Sequence, residues 1–281
     1  MRPLRIKFPG ALYHIYARGN GCQPIYLDEE DRHKFSVIFQ KILNRFGWNC
    51  YALCLMNTHY HLFIETPETN LSMGMQNLNG IYAQYFNKHH DLVGHVFQGR
   101  YNAIVVDREN YFLELCRYIV LNPVRAGIVE KPEEYSWSSY RQMVGIDESM
   151  PFIKTDFLLE HFGSSSETAK RNFRKFVLDG ISSDSPLEDT RGGLILGKDE
   201  FVESLRDIMI DSKNESEFTK YQRYSNRPLL EKLFPSGVRS VKEARDKAIY
   251  KAYIEYGYSQ KEIADFLKLH FATVSRIIKN E

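Results

Sequence analysis

Cysteine is scarce in this chain: four residues in 281, Cys22, Cys50, Cys54 and Cys116, with no C-x-x-C spacing. A structural zinc site is therefore not expected, and the four read equally well as small buried hydrophobes. Long apolar runs are missing too. Nothing approaches the roughly 18 residues needed to span a bilayer. Met1-Arg2-Pro3-Leu4-Arg5-Ile6-Lys7 lacks the apolar core of a signal peptide, so the expectation is a cytoplasmic protein with no membrane partner. Neither sign of charge dominates: 37 Lys and Arg face 36 Asp and Glu, a net +1, which alone implies no nucleic-acid partner. Residues 1–145 carry 15 basic and 13 acidic side chains (+2), residues 146–235 carry 13 and 17 (−4), and residues 236–281 carry 9 and 6 (+3). Basic ends around an acidic middle are compatible with DNA contacts at both ends, and equally with ordinary solvated faces. No internal repeat is visible.

What is present is enough apolar content, 43%, for a full core, in a chain long enough for two domains. Alternation predicts strands at 11–17, 50–56, 59–66 and 96–106, the middle two joined by a turn at Asn57-Thr58. Helical spacing behind an acidic first turn marks 28–46, and a second apolar stripe marks 71–89. Strand, helix, strand, strand, helix, strand is the ferredoxin-like order. The expected class is α+β, an antiparallel sheet with helices on one face, followed by an all-α region.

Within the third strand stands His59-Tyr60-His61. Strand side chains alternate, so both imidazoles project from one face while Tyr60, Leu62 and Ile64 project from the other. Two neutral imidazoles side by side make half of a divalent-metal site, although buried, hydrogen-bonded core histidines would look the same. Nine His give roughly 0.3 such triplets by chance, so the triplet alone says little. About sixty residues on, a short helix over 110–122 carries Tyr118 and Asn122 one turn apart on one face. Asn122 precedes Pro123, a position disfavoured for continuing helix, so a C-terminal cap is its alternative role.

His59 and His61, with Tyr118-Ile119-Val120-Leu121-Asn122-Pro123-Val124-Arg125-Ala126-Gly127, Tyr16-Ala17-Arg18-Gly19-Asn20 and Phe97-Gln98-Gly99-Arg100-Tyr101, resemble the single-tyrosine HUH transposases, specifically the REP-associated tyrosine transposases. The resemblance spans about residues 1–140. It implies an HUH endonuclease core in a bacterial, nucleoid-associated protein. It also implies Tyr118 as nucleophile, Mg²⁺ or Mn²⁺ as cofactor, and single-stranded or hairpin DNA of REP-like repeats as partner. Imidazole suits several divalent metals and an amide oxygen suits Mg²⁺ or Mn²⁺, so His59, His61 and Asn122 form the expected ligand set. A phenol has an ordinary pKa near 10; an ion that polarises the scissile phosphate eases its attack. Transesterification through a 5′-phosphotyrosine needs no nucleotide cofactor. His14, Arg18, Asn20, Arg100 and Tyr101 lie on or beside the same strands as candidate DNA contacts, and Arg117 and Arg125 as phosphate holders or plain helix-end charges.

Three segments are expected: a catalytic domain over 1–145, a helical middle region or linker over 146–235 with no chemistry apparent, and a DNA-binding domain over 236–281. In the last, Ser259 to Glu262 forms a capping box, a helix runs through Leu267, residues 268–270 turn, and a final helix covers 271–279. This pattern resembles a helix-turn-helix of the replication-initiator type, the alternative being a plain helical hairpin. Lys261, Thr273, Ser275, Arg276 and Lys279 are its candidate DNA contacts. The sequence therefore points to a metal-dependent DNA strand transferase, a monomer or a dimer. The alternatives are a domesticated DNA-binding regulator that does not cut and a nuclease that uses water.

Overall fold

The structure, a computed structural model, describes residues 6–206, 228–254, 256 and 258–280. Two compact units emerge: residues 5–190 with 194–202, and a second built on residues 203–281. The boundary expected after residue 145 therefore falls inside the first unit, where the middle region packs with the sheet.

The first unit opens with β1 (Ala11–Arg18), α1 (Glu29–Phe46), β2 (Asn49–Leu55), β3 (His59–Thr66), α2 (Leu71–His89) and β4 (Asn102–Val106). Helix α1 begins at an Asp28–Asp31 capping box, carries Glu29 and Glu30 in its first turn, and stops at Gly47 in the left-handed conformation. Acidic side chains at the start complement the helix dipole, and only glycine adopts that stop without strain. The sheet order is β2-β3-β1-β4-β5. Its first four strands are antiparallel, which is the ferredoxin-like arrangement. β5 (Ile195–Leu196) adds in parallel beside β4; at two residues it has no readable alternation.

β4 starts later than residue 96. Gly99 turns the chain at φ +70°, and ahead of it Val96, Phe97 and Gln98 reach back, to Asn20 N, to Gly19 and to the Arg18 carbonyl. Helices α1 and α2 cover the face bearing Tyr60, with the Phe35 ring 5.0 Å from Tyr60 and 5.2 Å from Tyr82. Helix α3 (Arg108–Arg125) covers the opposite face. Apolar residues on both faces of a sheet need cover on both sides.

Helix α3 was expected to end at Asn122 and instead continues through Pro123. Proline lacks the N–H that would bond the carbonyl four residues back, at Ile119. The Asn122 side chain substitutes for it: Nδ2 donates to Tyr118 O at 2.9 Å and to Ile119 O at 3.4 Å.

Beyond α3 come α4 (Tyr140–Met143), α5 (Thr155–Glu160), α6 (Ser166–Asp179) and, after β5, α7 (Asp199–Ser204). Of the middle region expected to be helical over 146–235, residues 207–227 lie outside the described residues. The second unit contains α8 (Leu230–Leu233), α9 (Ser236–Ser240), α10 (Lys242–Ile254), α11 (Gln260–Leu267) and α12 (Phe271–Asn280). These pack around Phe234, Ile249, Ala252, Tyr258, Ile263, Ala264 and Val274. The Ser259–Glu262 capping box forms, and Lys268 ends α11 in the left-handed conformation at φ 53°. No helix among the described residues is long and apolar enough to cross a membrane.

Candidate active site

The site is built where α3 runs down β3 in the opposite direction. At one end Arg108 Nη2 pairs with Glu65 at 2.6 Å; further on, Phe112 packs on Phe63 with ring centroids 5.3 Å apart. Ten residues of helix rise about 15 Å and four residues of strand about 13 Å. Arg108 on Glu65 therefore places Tyr118 on His61, and their ring centroids are 6.1 Å apart, edge-on. Asn122 follows one turn later on the same helix face.

His59 and His61 project from one face, ring centroids 5.0 Å apart. A third imidazole joins them from β1. His14 Nε2 lies 2.9 Å from His61 Nδ1 with the rings nearly parallel, and His14 is fully buried while His61 is 7% exposed. The bond comes from register: Tyr16 faces His61 and Arg18 faces His59 across the β1/β3 pair, so alternation puts His14, Tyr16 and Arg18 on the histidine face. Tyr118 lies edge-on to His14 as well, at 6.2 Å.

Burial keeps these imidazoles neutral. It lowers His14 to about 3 and holds His61 well below its ordinary value, with His14, His59 and Arg18 adding to the effect. His59 is lowered less, by burial first and then by the Arg18 charge. A neutral imidazole is the form that binds a metal. With Nδ1 of His61 engaged by His14, Nε2 is its remaining donor. Because Asn122 uses Nδ2 on its own helix, Oδ1 is the atom it has left to offer. Two imidazole nitrogens and an amide oxygen thus fit a divalent cation in kind.

A different group of metal-capable side chains, Asp28, Asp31, His89 and His90, gathers where α1 begins and α2 ends. There the buried Asp31 carboxylate accepts from Leu27 N at 2.7 Å and lies 2.8 Å from His90 Nε2. Its oxygens are committed to joining the two helix ends.

The remaining candidates separate. Arg18, Asn20 and Arg100 are exposed, and Asn20 N donates to Val96 O at 2.9 Å, so the start of the sheet face and the 96–100 segment adjoin. Tyr101 is 4% exposed and belongs to the core. Arg117 turns to α6: it pairs with Glu114, its Cζ sits 4.3 Å over the Phe176 ring, and Nη1 donates to Phe176 O. Arg125 lies over the Tyr118 ring at 5.3 Å and donates to Gly180 O at 3.3 Å and Ser183 O at 2.8 Å. Lys261 and Arg276 are exposed and Thr273 and Ser275 half-buried in the second unit. Lys279 lies on α12, its side chain outside the described residues.

Two features escaped the sequence reading. One is the His14–His61 bond; the other is Tyr16, a second phenol whose ring is 6.2 Å from His61. Burial raises Tyr16 above the ordinary phenol value, with Arg18 opposing and Tyr118 adding. The period-2 run His14, Tyr16, Arg18 was the available signal, but it points to the site only once strand pairing is known.

No curated protein matches the chain. Among solved structures, one of a REP-associated tyrosine transposase bound to a REP hairpin is similar over 52% of this chain and 86% of its own, at 15% identity and a TM-score of 0.44. The family model described as transposase IS200-like matches residues 9–122, a span that begins ahead of β1, ends at Asn122, and includes His14, His59, His61 and Tyr118. Over that span, fewer than half of its residues, the chain is similar to the IS200-like transposase family.

Proposed function

We propose that this protein is a metal-dependent, single-tyrosine DNA strand transferase acting on single-stranded or hairpin-forming DNA. The observation that carries the reading is the placement of Tyr118 edge-on to His61 and His14, on the face that also presents His59. A Tyr packed merely as core would not need two neutral histidines against its ring.

A divalent ion held by His59, His61 and Asn122, Mg²⁺ or Mn²⁺ by the amide-containing donor set, would supply charge at the scissile phosphate. The chain's own groups do the rest. His14 fixes the ring of His61 and selects which nitrogen is free. Arg125, held by two backbone carbonyls, stays over the Tyr118 ring, and the α3 register holds the phenol against the histidine face. The Tyr118 oxygen attacks phosphorus, the P–O3′ bond breaks, the phenolic proton is lost and the 3′-oxygen leaves as a 3′-OH. One phosphodiester replaces another, so the step is reversible without a nucleotide cofactor. Arg18, Asn20 and Arg100, exposed beside the histidine face, are positioned to contact the strand that delivers the phosphate. The second unit, with exposed Lys261 and Arg276 on two helices joined by a short turn, reads as a helix-turn-helix that adds target binding.

Denaturing electrophoresis of a labelled hairpin oligonucleotide incubated with Mn²⁺ tests the reading. A covalent protein–DNA adduct is expected. Binding without product would make the protein a non-cutting regulator, and free product without adduct would make water the nucleophile.

A further inference from the structure

Helix α6, in the region that showed no chemistry in the sequence, carries a basic pocket. Its buried stripe, Ala169, Phe173 and Val177, faces inward at helical spacing. Flanking that stripe, Lys170, Arg171 and Arg174 line a cavity of about 270 Å³ together with Val144, Gly145 and Glu167. Three cations face one carboxylate. None of the three is in a salt bridge among the described residues. Lys170 and Arg174 lie one turn apart, a like-charge spacing that weakens a helix by a few tenths of a kcal/mol. The wall is shaped around the lysine: a Cβ at Gly145 would come within 2.7 Å of Lys170 Nζ.

The same helix reaches the candidate active site. Two residues beyond Arg174, Phe176 holds Arg117, and Gly180 holds Arg125 over Tyr118. A Cβ at Gly180 would fall 2.3 Å from Arg117 Cδ, so the contact requires glycine. From Lys170 or Arg174 to Gly180 the helical rise is about 15 or 9 Å, or roughly three to four steps of a DNA strand at about 3.4 Å each. A net positive charge in a concavity, at that range from the proposed nucleophile, matches a polyanion with regularly spaced phosphates.

We propose that the Lys170–Arg171–Arg174 pocket is a second phosphate anchor, which holds the sugar-phosphate backbone of bound DNA while the scissile bond lies at Tyr118. The proposal rests on the strand-transfer reading above and adds a DNA contact outside the sheet face.

The test compares full-length wild type with a Lys170→Gln/Arg171→Gln/Arg174→Gln variant. Fluorescence anisotropy of a labelled hairpin DNA with a single-stranded extension is measured across a salt series, with Mn²⁺-dependent adduct formation measured at saturating DNA. The slope of log affinity against log salt is expected to fall by about 2 to 3, at roughly 0.7–0.9 per lost phosphate contact. Adduct formed per bound DNA is expected to be unchanged. If the triple variant melts early, exposed Arg171→Gln alone is expected to lower the slope by about one. An unchanged slope in a folded variant overturns the proposal. So does an unchanged slope combined with inorganic phosphate raising the melting temperature of wild type but not of the variant, which would make the pocket a small-anion site. The two readings fail separately: no adduct with wild type but a lowered slope in the variant removes strand transfer and keeps the anchor, while adduct with an unchanged slope does the reverse.

Discussion

In the sheet-bearing unit, histidines 14 and 61, Asp31, Thr66, Asp107, Ser138 and Ser139 are all withdrawn from solvent; in the C-terminal helical unit no described polar or charged residue other than a hydrogen-bonded tyrosine is buried. An unpaired buried polar group costs about 1–3 kcal/mol, so the first unit accepts polar burial that the second avoids. The contrast separates two tasks. Groups that must be held in one protonation state and one orientation are placed inside a core, where register fixes them. Groups proposed to meet a polyanion stay in water on helix surfaces, where charge suffices.

The largest effect that would break this comparison comes from the nucleophile. Tyr118→Phe is expected to abolish the covalent adduct while hairpin affinity is retained. Tyr16→Phe, at a similar distance from His61 but with a phenol that burial keeps protonated, is expected to retain adduct formation. The opposite pattern would transfer the reaction to Tyr16.

Next comes the buried orienting contact. His14→Gln keeps a polar side chain of similar reach but cannot reproduce an imidazole bond to His61. The Mn²⁺ concentration for half-maximal adduct is expected to rise roughly 10- to 100-fold, the usual cost of removing a partner behind a metal ligand. Thermal melting serves as the folding control, and an unchanged Mn²⁺ titration would reduce His14 to a packing residue.

The water-exposed counterpart is smaller in effect. Arg276→Ala is expected to leave cutting of a short hairpin intact, and to lower the salt slope of binding to a longer duplex-flanked target by about one. Equal slopes would make the second unit a packing or oligomerisation element.

Smallest is the ion pair that sets the α3 register. The Glu65 carboxyl is raised by burial, but Tyr51, Arg108 and Asn49 together outweigh this and hold it below its ordinary value. The carboxylate therefore adds stability that is fully present above the unfolded value of about 4.3 and is lost as pH falls through the lower folded value. Glu65→Gln is expected to flatten the acid limb of a melting-temperature profile and to shift adduct yield only modestly. A steeper acid limb would reverse the sign.

Much of this was legible because it is local. The His59–His61 alternation, the Asp28 and Ser259 capping boxes and the Tyr118–Asn122 spacing each need only a few consecutive residues. What was illegible depends on distant pairing. His14 could be recognised as a partner of His61 only from the β1/β3 register. β5 is too short to show a period. The continuation of α3 through Pro123 depends on an amide that repairs the helix from the side, an option that a rule about the residue before proline does not contain. Arg117 and Arg125 read either as phosphate holders or as plain helix-end charges because their partners, Phe176, Gly180 and Ser183, lie more than fifty residues away.

The segments that follow α3 also close the sheet. Along β2, Leu55 N donates to Trp137 O, Ser139 N to Leu53 O and Lys154 N to Cys50 O; along β4, Val105 N and Asp107 N donate to Leu194 O and Leu196 O. Both edges of the four-stranded antiparallel part are thereby partly covered, and open strand edges are templates for pairing with another chain. During synthesis the cover arrives late: β4 ends at Val106 and its partner at Leu196, a delay of roughly 5 to 20 s at about 5–20 residues per second. A nascent chain halted between those points would carry a complete histidine face on a sheet still able to aggregate edge to edge. The region that follows α3 thus covers strand edges that would otherwise be open to pairing.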